Sequence, residues 1–61
     1  CAIIEENFDI KPRECIAELN GENLSLEKLT VFFHGNSLIS SYDVKHLLKE
    51  EYGVKAEVYF K

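Results

Sequence analysis

The chain has 61 residues, 46% of them apolar and seven aromatic, and its eleven acidic and seven basic side chains give a net charge of −4. A chain this short forms one small domain that buries only about 60% of its unfolded surface, while its apolar content excludes the disordered class. The acidic balance argues against a phosphate-backbone binder, which carries a dense basic face, and no apolar run approaches the ~20 residues that span a bilayer. No signal peptide is visible, so the expectation is a soluble, cytoplasmic domain with no membrane contact. The first residue is Cys1 and not Met, which fits residues 1–61 being a single small domain or fragment of a larger protein.

Residues 2–7 suit a strand by residue type, through Ala2, Ile3 and Ile4, before Asp9, Lys11 and Pro12 break it. Residues 13–26 allow two readings. As a hairpin, they meet Asn20-Gly21, a pair suited to a two-residue type I′ turn, in a register that sets Ala17 opposite Leu24 and Cys15 opposite Leu26. As a helix, Pro12 starts the first turn, Cys15, Ile16 and Leu19 form a stripe, and Gly21 ends it. The hairpin is preferred because it also gives Leu24 and Leu26 buried partners.

Ser25 to Lys28 resembles a helix start, yet Thr30, Val31, Phe32 and Phe33 are four strand formers in a row. Both faces of that strand are apolar: Leu29, Val31 and Phe33 on one, Thr30 and Phe32 on the other. Such a strand is central, covered on both sides or by a partner subunit.

The following helix, Ser40 to Tyr52, has a signal at each end. Ser40 and Asp43 form an acidic variant of the capping box, Ile39 staples onto Val44, and Gly53 ends the helix. Val44, Leu47, Leu48 and Tyr52 recur at helical spacing. Val54, Ala56, Val58 and Phe60 then alternate with polar neighbours, the pattern of a half-buried strand. A strand, helix and strand in one sheet imply a parallel pair with a right-handed crossover. The predicted fold is α+β: a single-layer sheet of three to four strands in β-β-β-α-β order, with one helix packed on one face.

The loop between strand and helix offers His34, Asn36, Ser37 and Ser40 as candidate ligand-binding groups near a helix N-terminus. Against this, Asp43 already complements the dipole and repels an anion. A single Gly in the loop rules out a P-loop or dinucleotide fingerprint, and a capped turn is the plainer reading. Cys1, Cys15, His34 and His46 stand fourteen, nineteen and twelve residues apart, which matches no zinc-ligand pairing. No metal, cofactor or catalytic set is expected, because nothing in the pattern brings a nucleophile, base and acid together. Cys15 reads most simply as a small buried apolar residue. A bridge to Cys1 would close a loop worth about 3 kcal/mol.

Thr30, Phe32 and Tyr59 are candidate interface residues, since the aromatic content exceeds what one helix and a small sheet cover. The leading functional expectation is a non-catalytic protein–protein interaction or assembly module, with a protein partner or self-association. An alternative is a ligand- or RNA-contacting accessory domain using the His34–Ser41 loop and stacking aromatics. That reading gains if Lys28, Lys45, Lys49, Lys55 and Lys61 share one face and fails if Glu residues interleave them. A small acidic inhibitor protein would instead cluster Glu5, Glu6, Glu14 and Glu18.

Overall fold

The computed structural model describes residues 2–61. The described residues form α1 (Ala2–Phe8), β1 (Glu14–Leu19), β2 (Leu26–Phe33), α2 (Ser41–Tyr52) and β3 (Lys55–Phe60). The strands make one mixed sheet in the order β1-β2-β3, with β1 antiparallel and β3 parallel to the central β2. The α+β class therefore stands, but the element order is α-β-β-α-β, with two helices and three strands among the described residues.

The N-terminal segment corrects the expected first strand. Ile4 is fully buried and Ile3 and Phe8 are half-buried, while Glu5, Glu6 and Asn7 are exposed. A helical turn brings Ile3, Ile4 and Phe8 to one side, whereas a strand would send Ile3 to the face opposite Ile4 and Phe8. The β-branched pair favours a strand locally, and burial of that stripe against the sheet overrides the preference. The Asn7 amide donates to the Ile3 carbonyl at 2.8 Å. Asp9 ends the helix, donating its N–H to the Glu5 carbonyl at 2.9 Å with φ at 56°, a left-handed conformation that Asp tolerates better than most residues.

Residues 14–33 form a hairpin, as preferred over the helix, but in a different register. Cys15 pairs with Val31 and Ala17 with Leu29, and the ladder is irregular between Glu18 and Leu19. The expected two-residue turn at Asn20-Gly21 is replaced by a longer loop. The Asn20 N–H donates to the Ser25 carbonyl at 2.8 Å, and the Leu24 N–H to the Asn20 carbonyl at 2.9 Å. The Asn20 side chain accepts from the Glu22 N–H at 2.8 Å and the Asn23 N–H at 3.4 Å. The positive φ falls on Leu24, at 59°. Asn20 thus caps a helical turn, a use of its side chain that competes with the tight turn, and the slipped register sets Cys15 and Ala17 beside buried β2 residues.

The second helix is capped and stopped as expected, but Tyr52, expected on its apolar stripe, is 51% exposed. Ser40 Oγ accepts from the Asp43 N–H at 3.4 Å, and Gly53, at φ 67°, donates its N–H to the Lys49 carbonyl at 2.8 Å. Val44 and Leu48 are fully buried, and Ile39 packs against the same core. Val54, just ahead of β3, and Ala56 are buried and Val58 is half-buried, while Phe60 is 39% exposed but stacks on buried Phe33, so the alternation holds with its last residue at the rim. The core joins these to Ile4 and to Leu29, Val31 and Phe33 of β2. Over β1 the cover is thinner, leaving an apolar cleft of about 330 Å³ between Ile3, Ala17, Leu26, Leu48 and Tyr52.

Cys15 is half-buried and disulfide-bonded, not a plain core residue. The chain's other cysteine, Cys1, lies outside the described residues. No helix among the described residues is long and apolar enough to cross a membrane.

Candidate functional site

Alternation along three strands sends one set of side chains toward the helices and the other to the opposite face. The core uses Leu29, Val31 and Phe33, so Lys28, Thr30 and Phe32 of β2 point away from it. The strand registers place Glu14, Phe32 and Tyr59 in one row across that face, Ile16, Thr30 and Glu57 in the next, and Glu18, Lys28 and Lys55 in a third. Both helices contribute to the core on the other side, and among the described residues nothing covers this one. The expectation that β2 is covered on both faces is thus met on one only: Thr30 and Phe32 are half-buried, while Ile16 is 41% and Tyr59 42% exposed.

The face has an aromatic centre with charges around it. The Phe32 and Tyr59 rings stack with centroids 5.4 Å apart at 22°. Lys61 Nζ lies 5.1 Å from the Phe32 centroid and 6.0 Å from that of Tyr59, a favourable cation–π position. Arg13 donates from Nη1 to the Lys61 carbonyl at 2.8 Å. Lys28 pairs with Glu57 at 3.2 Å and more loosely with Glu18 at 3.9 Å. The Tyr59 hydroxyl donates to Glu57 Oε2 at 2.7 Å.

These contacts bias the protonation of all three groups. Donation from the Tyr59 hydroxyl, then from Lys28, holds the Glu57 carboxyl below its ordinary value of 4.5. The same hydrogen bonds raise Lys28 above 10.5 and Tyr59 above 10.0. A carboxyl depressed in the folded state contributes stability that is present above pH 4.5 and lost as pH falls through its folded value. For Tyr59 and Lys28 the sign reverses: their contribution is present below pH 10.0 and 10.5 and disappears as pH rises past their folded values. Glu57→Gln is therefore expected to flatten part of the stability loss on acidification below pH 4.5. Urea midpoints measured against pH check this, and identical acid limbs for variant and wild type would refute it.

The structure brings Thr30, Phe32 and Tyr59 together on this face. The loop residues lie apart from it, beyond the end of β2. His34, Asn36 and Ser40 are exposed and Ser37 is half-buried, and the Ser37 N–H donates to the His34 carbonyl at 3.0 Å. The Ser40 hydroxyl is engaged as the helix cap. His34 also lines a shallow notch with Lys11, Pro12 and Arg13. Among the described residues, no group of three or more His, Cys, Asp and Glu is placed to hold a metal ion.

Ile16 and Glu57 are members of the face that the sequence did not single out, and Lys28 and Lys61, weighed from sequence only as part of a basic face, join them. Their signal was the period of two: Lys55, Glu57, Tyr59 and Lys61 share one side of β3. Lys28, Lys55 and Lys61 do converge on the face, but Glu14, Glu18 and Glu57 interleave them, and Lys45 and Lys49 lie on α2. The acids also divide, with Glu14 and Glu18 on the open face and Glu5 and Glu6 on α1, which packs on the other. The chain matches no protein-family model, and searches among curated proteins and solved structures find no match.

Proposed function

We propose that the domain is a non-catalytic protein–protein interaction module that engages its partner through the open face of the sheet. The observation that carries this reading is Phe32. It sits on the central strand, stacked on Tyr59, with Ile16 exposed on the neighbouring strand, where a one-layer sheet facing water would ordinarily be polar. An aromatic centre ringed by paired charges is the composition of an interface core and rim. The edge strands β1 and β3 add a second mode, strand addition to the sheet.

The other readings have specific observations against them. Glu14, Glu18 and Glu57 among the lysines oppose an RNA backbone, and the capping role of Ser40 occupies its hydroxyl oxygen as an acceptor and fixes the side chain at the helix end. The division of the acidic residues weakens the inhibitor reading. A disulfide at Cys15 belongs with oxidising compartments, which weighs against the cytoplasmic placement expected from sequence.

A photo-reactive phenylalanine analogue at position 59, compared with the same analogue at position 45 on α2, tests the proposal in an extract of the source cells. Adducts to protein are expected from position 59 alone, and Phe32→Ser is expected to abolish them without altering the circular dichroism spectrum. Equal adducts from both positions, or adducts indifferent to Phe32, would remove the face from consideration.

A further inference from the structure

We propose that the partner of this face is a second copy of the chain, stacked sheet on sheet about a two-fold axis parallel to β2. The inference rests on the interaction-module reading and adds the partner's identity, which the distribution of charge across the strands supplies. On the open face, the charged residues of β1 are both acids, Glu14 and Glu18, with Ile16 between them. The β3 side carries Lys55 and, just beyond the strand, Lys61, with its one acid, Glu57, already bound to Lys28 and Tyr59.

Two sheets related by a two-fold axis can face each other in two orthogonal ways. If the axis runs across the strands, β1 lies over β1 of the other copy and Glu14 and Glu18 meet their own kind. If the axis runs along β2, each row of side chains keeps its height and reverses its direction. The row Glu18, Lys28, Lys55 then lies over Lys55, Lys28, Glu18 of the second copy, and Glu14 faces the Tyr59 and Lys61 side. Phe32 and Thr30 meet their own counterparts at the centre. Lys28 also meets its counterpart, but with its charge offset by Glu57 at 3.2 Å and Glu18 at 3.9 Å. Aligned sheets pack about 30° from parallel, close enough to keep these rows in register. Like charges brought face to face disfavour the crossed arrangement, so the pattern selects the axis along β2.

The contact is small. Three strands about 4.8 Å apart and six residues long give a footprint of roughly 20 Å by 14 Å, well short of the ~800 Å² per partner of a standard interface. Association is accordingly weak, dependent on concentration, and reduced by salt.

Charge reversal provides the test. Glu18→Lys alone opposes two lysines at each outer contact of the pair, and Lys55→Glu alone opposes two glutamates. Mixing the two single variants restores opposite charges at both contacts. Sedimentation velocity from about 10 μM to about 1 mM is expected to show dimer for the wild type and monomer for either variant alone. The equimolar mixture is expected to recover dimer, and thermal unfolding should confirm that both variants are folded. A wild type that stays monomeric, reversals without effect, or a mixture that fails to associate would each overturn the pairing. The adducts from position 59 separate this from failure of the broader reading. If they identify a different protein and depend on Phe32, the interaction face survives and only the second copy is rejected; if they too are absent, both fall.

Discussion

Phe33→Ala is expected to remove most of the domain's stability and to lower its melting temperature by more than any other single truncation in the core. Phe33 is fully buried on the inner face of the central strand, one of the largest side chains in the core, and its ring stacks on Phe60 with centroids 5.7 Å apart. It shares that core with Ile4 from α1 and Val44 and Leu48 from α2, so one truncation loosens both helices and the sheet together. Buried Phe→Ala changes cost about 3–5 kcal/mol. At ~0.05–0.15 kcal/mol per residue, a domain this size has roughly 3–9 kcal/mol in total. The loss is therefore from about a third to all of the stability, and about two-thirds at the middle of both ranges. Circular dichroism melts compared with Phe33→Leu check the cause, since the leucine keeps most of the volume and should cost about 1.5 kcal/mol or less. A cooperative Phe33→Ala melt within about 5 °C of wild type would show that the core is not organised around this ring.

Removing the disulfide should have the next largest effect. Cys15 is disulfide-bonded on β1, the strand with the thinnest inner cover, where Ala17 is exposed and the apolar cleft opens. Loss of a disulfide typically costs ~2–4 kcal/mol, with about 3 kcal/mol as the middle value. The seven-residue α1 is far shorter than the ~12–15 residues at which helices become even marginally stable in water. It depends on being held against the sheet. Cys15→Ser is expected to lower the melting temperature by about 12–24 °C, with a reductant producing the same shift in the wild type and none in the variant. Equal wild-type urea midpoints with and without reductant would contradict it.

The elements legible in the sequence were those whose signals are local. Ser40, Asp43 and Gly53 mark the ends of α2 by hydrogen bonds within four residues of each cap. The alternation from Val54 to Phe60 separates inward from outward positions on β3 without reference to any other strand. The same alternation carried Thr30, Phe32 and Tyr59 into the candidate face, although Ile16, Lys28 and Glu57 joined them only once the register was known. The errors share a different cause. In residues 2–8, the strand preference of Ile3 and Ile4 is a few tenths of a kcal/mol, and burying Ile4 is worth ~1.5–3 kcal/mol. At Asn20-Gly21, the pair suits a tight turn, but the pairing of Ala17 and Cys15 with Leu29 and Val31 decides the register, and those residues lie twelve and sixteen positions away.

By itself, then, the sequence determined the α+β class, the capped second helix, the central apolar strand and the parallel β2–β3 pair, because each rests on contacts between near neighbours or on a period of two. Only the tertiary structure decided that α1 is a helix, that the hairpin slips to its longer loop, and that β2 is covered by helices on one side alone. It alone placed the acids of β1 opposite the lysines on the β3 side of one face. Those outcomes depend on which distant surfaces bury each other, and that free energy exceeds local conformational preference.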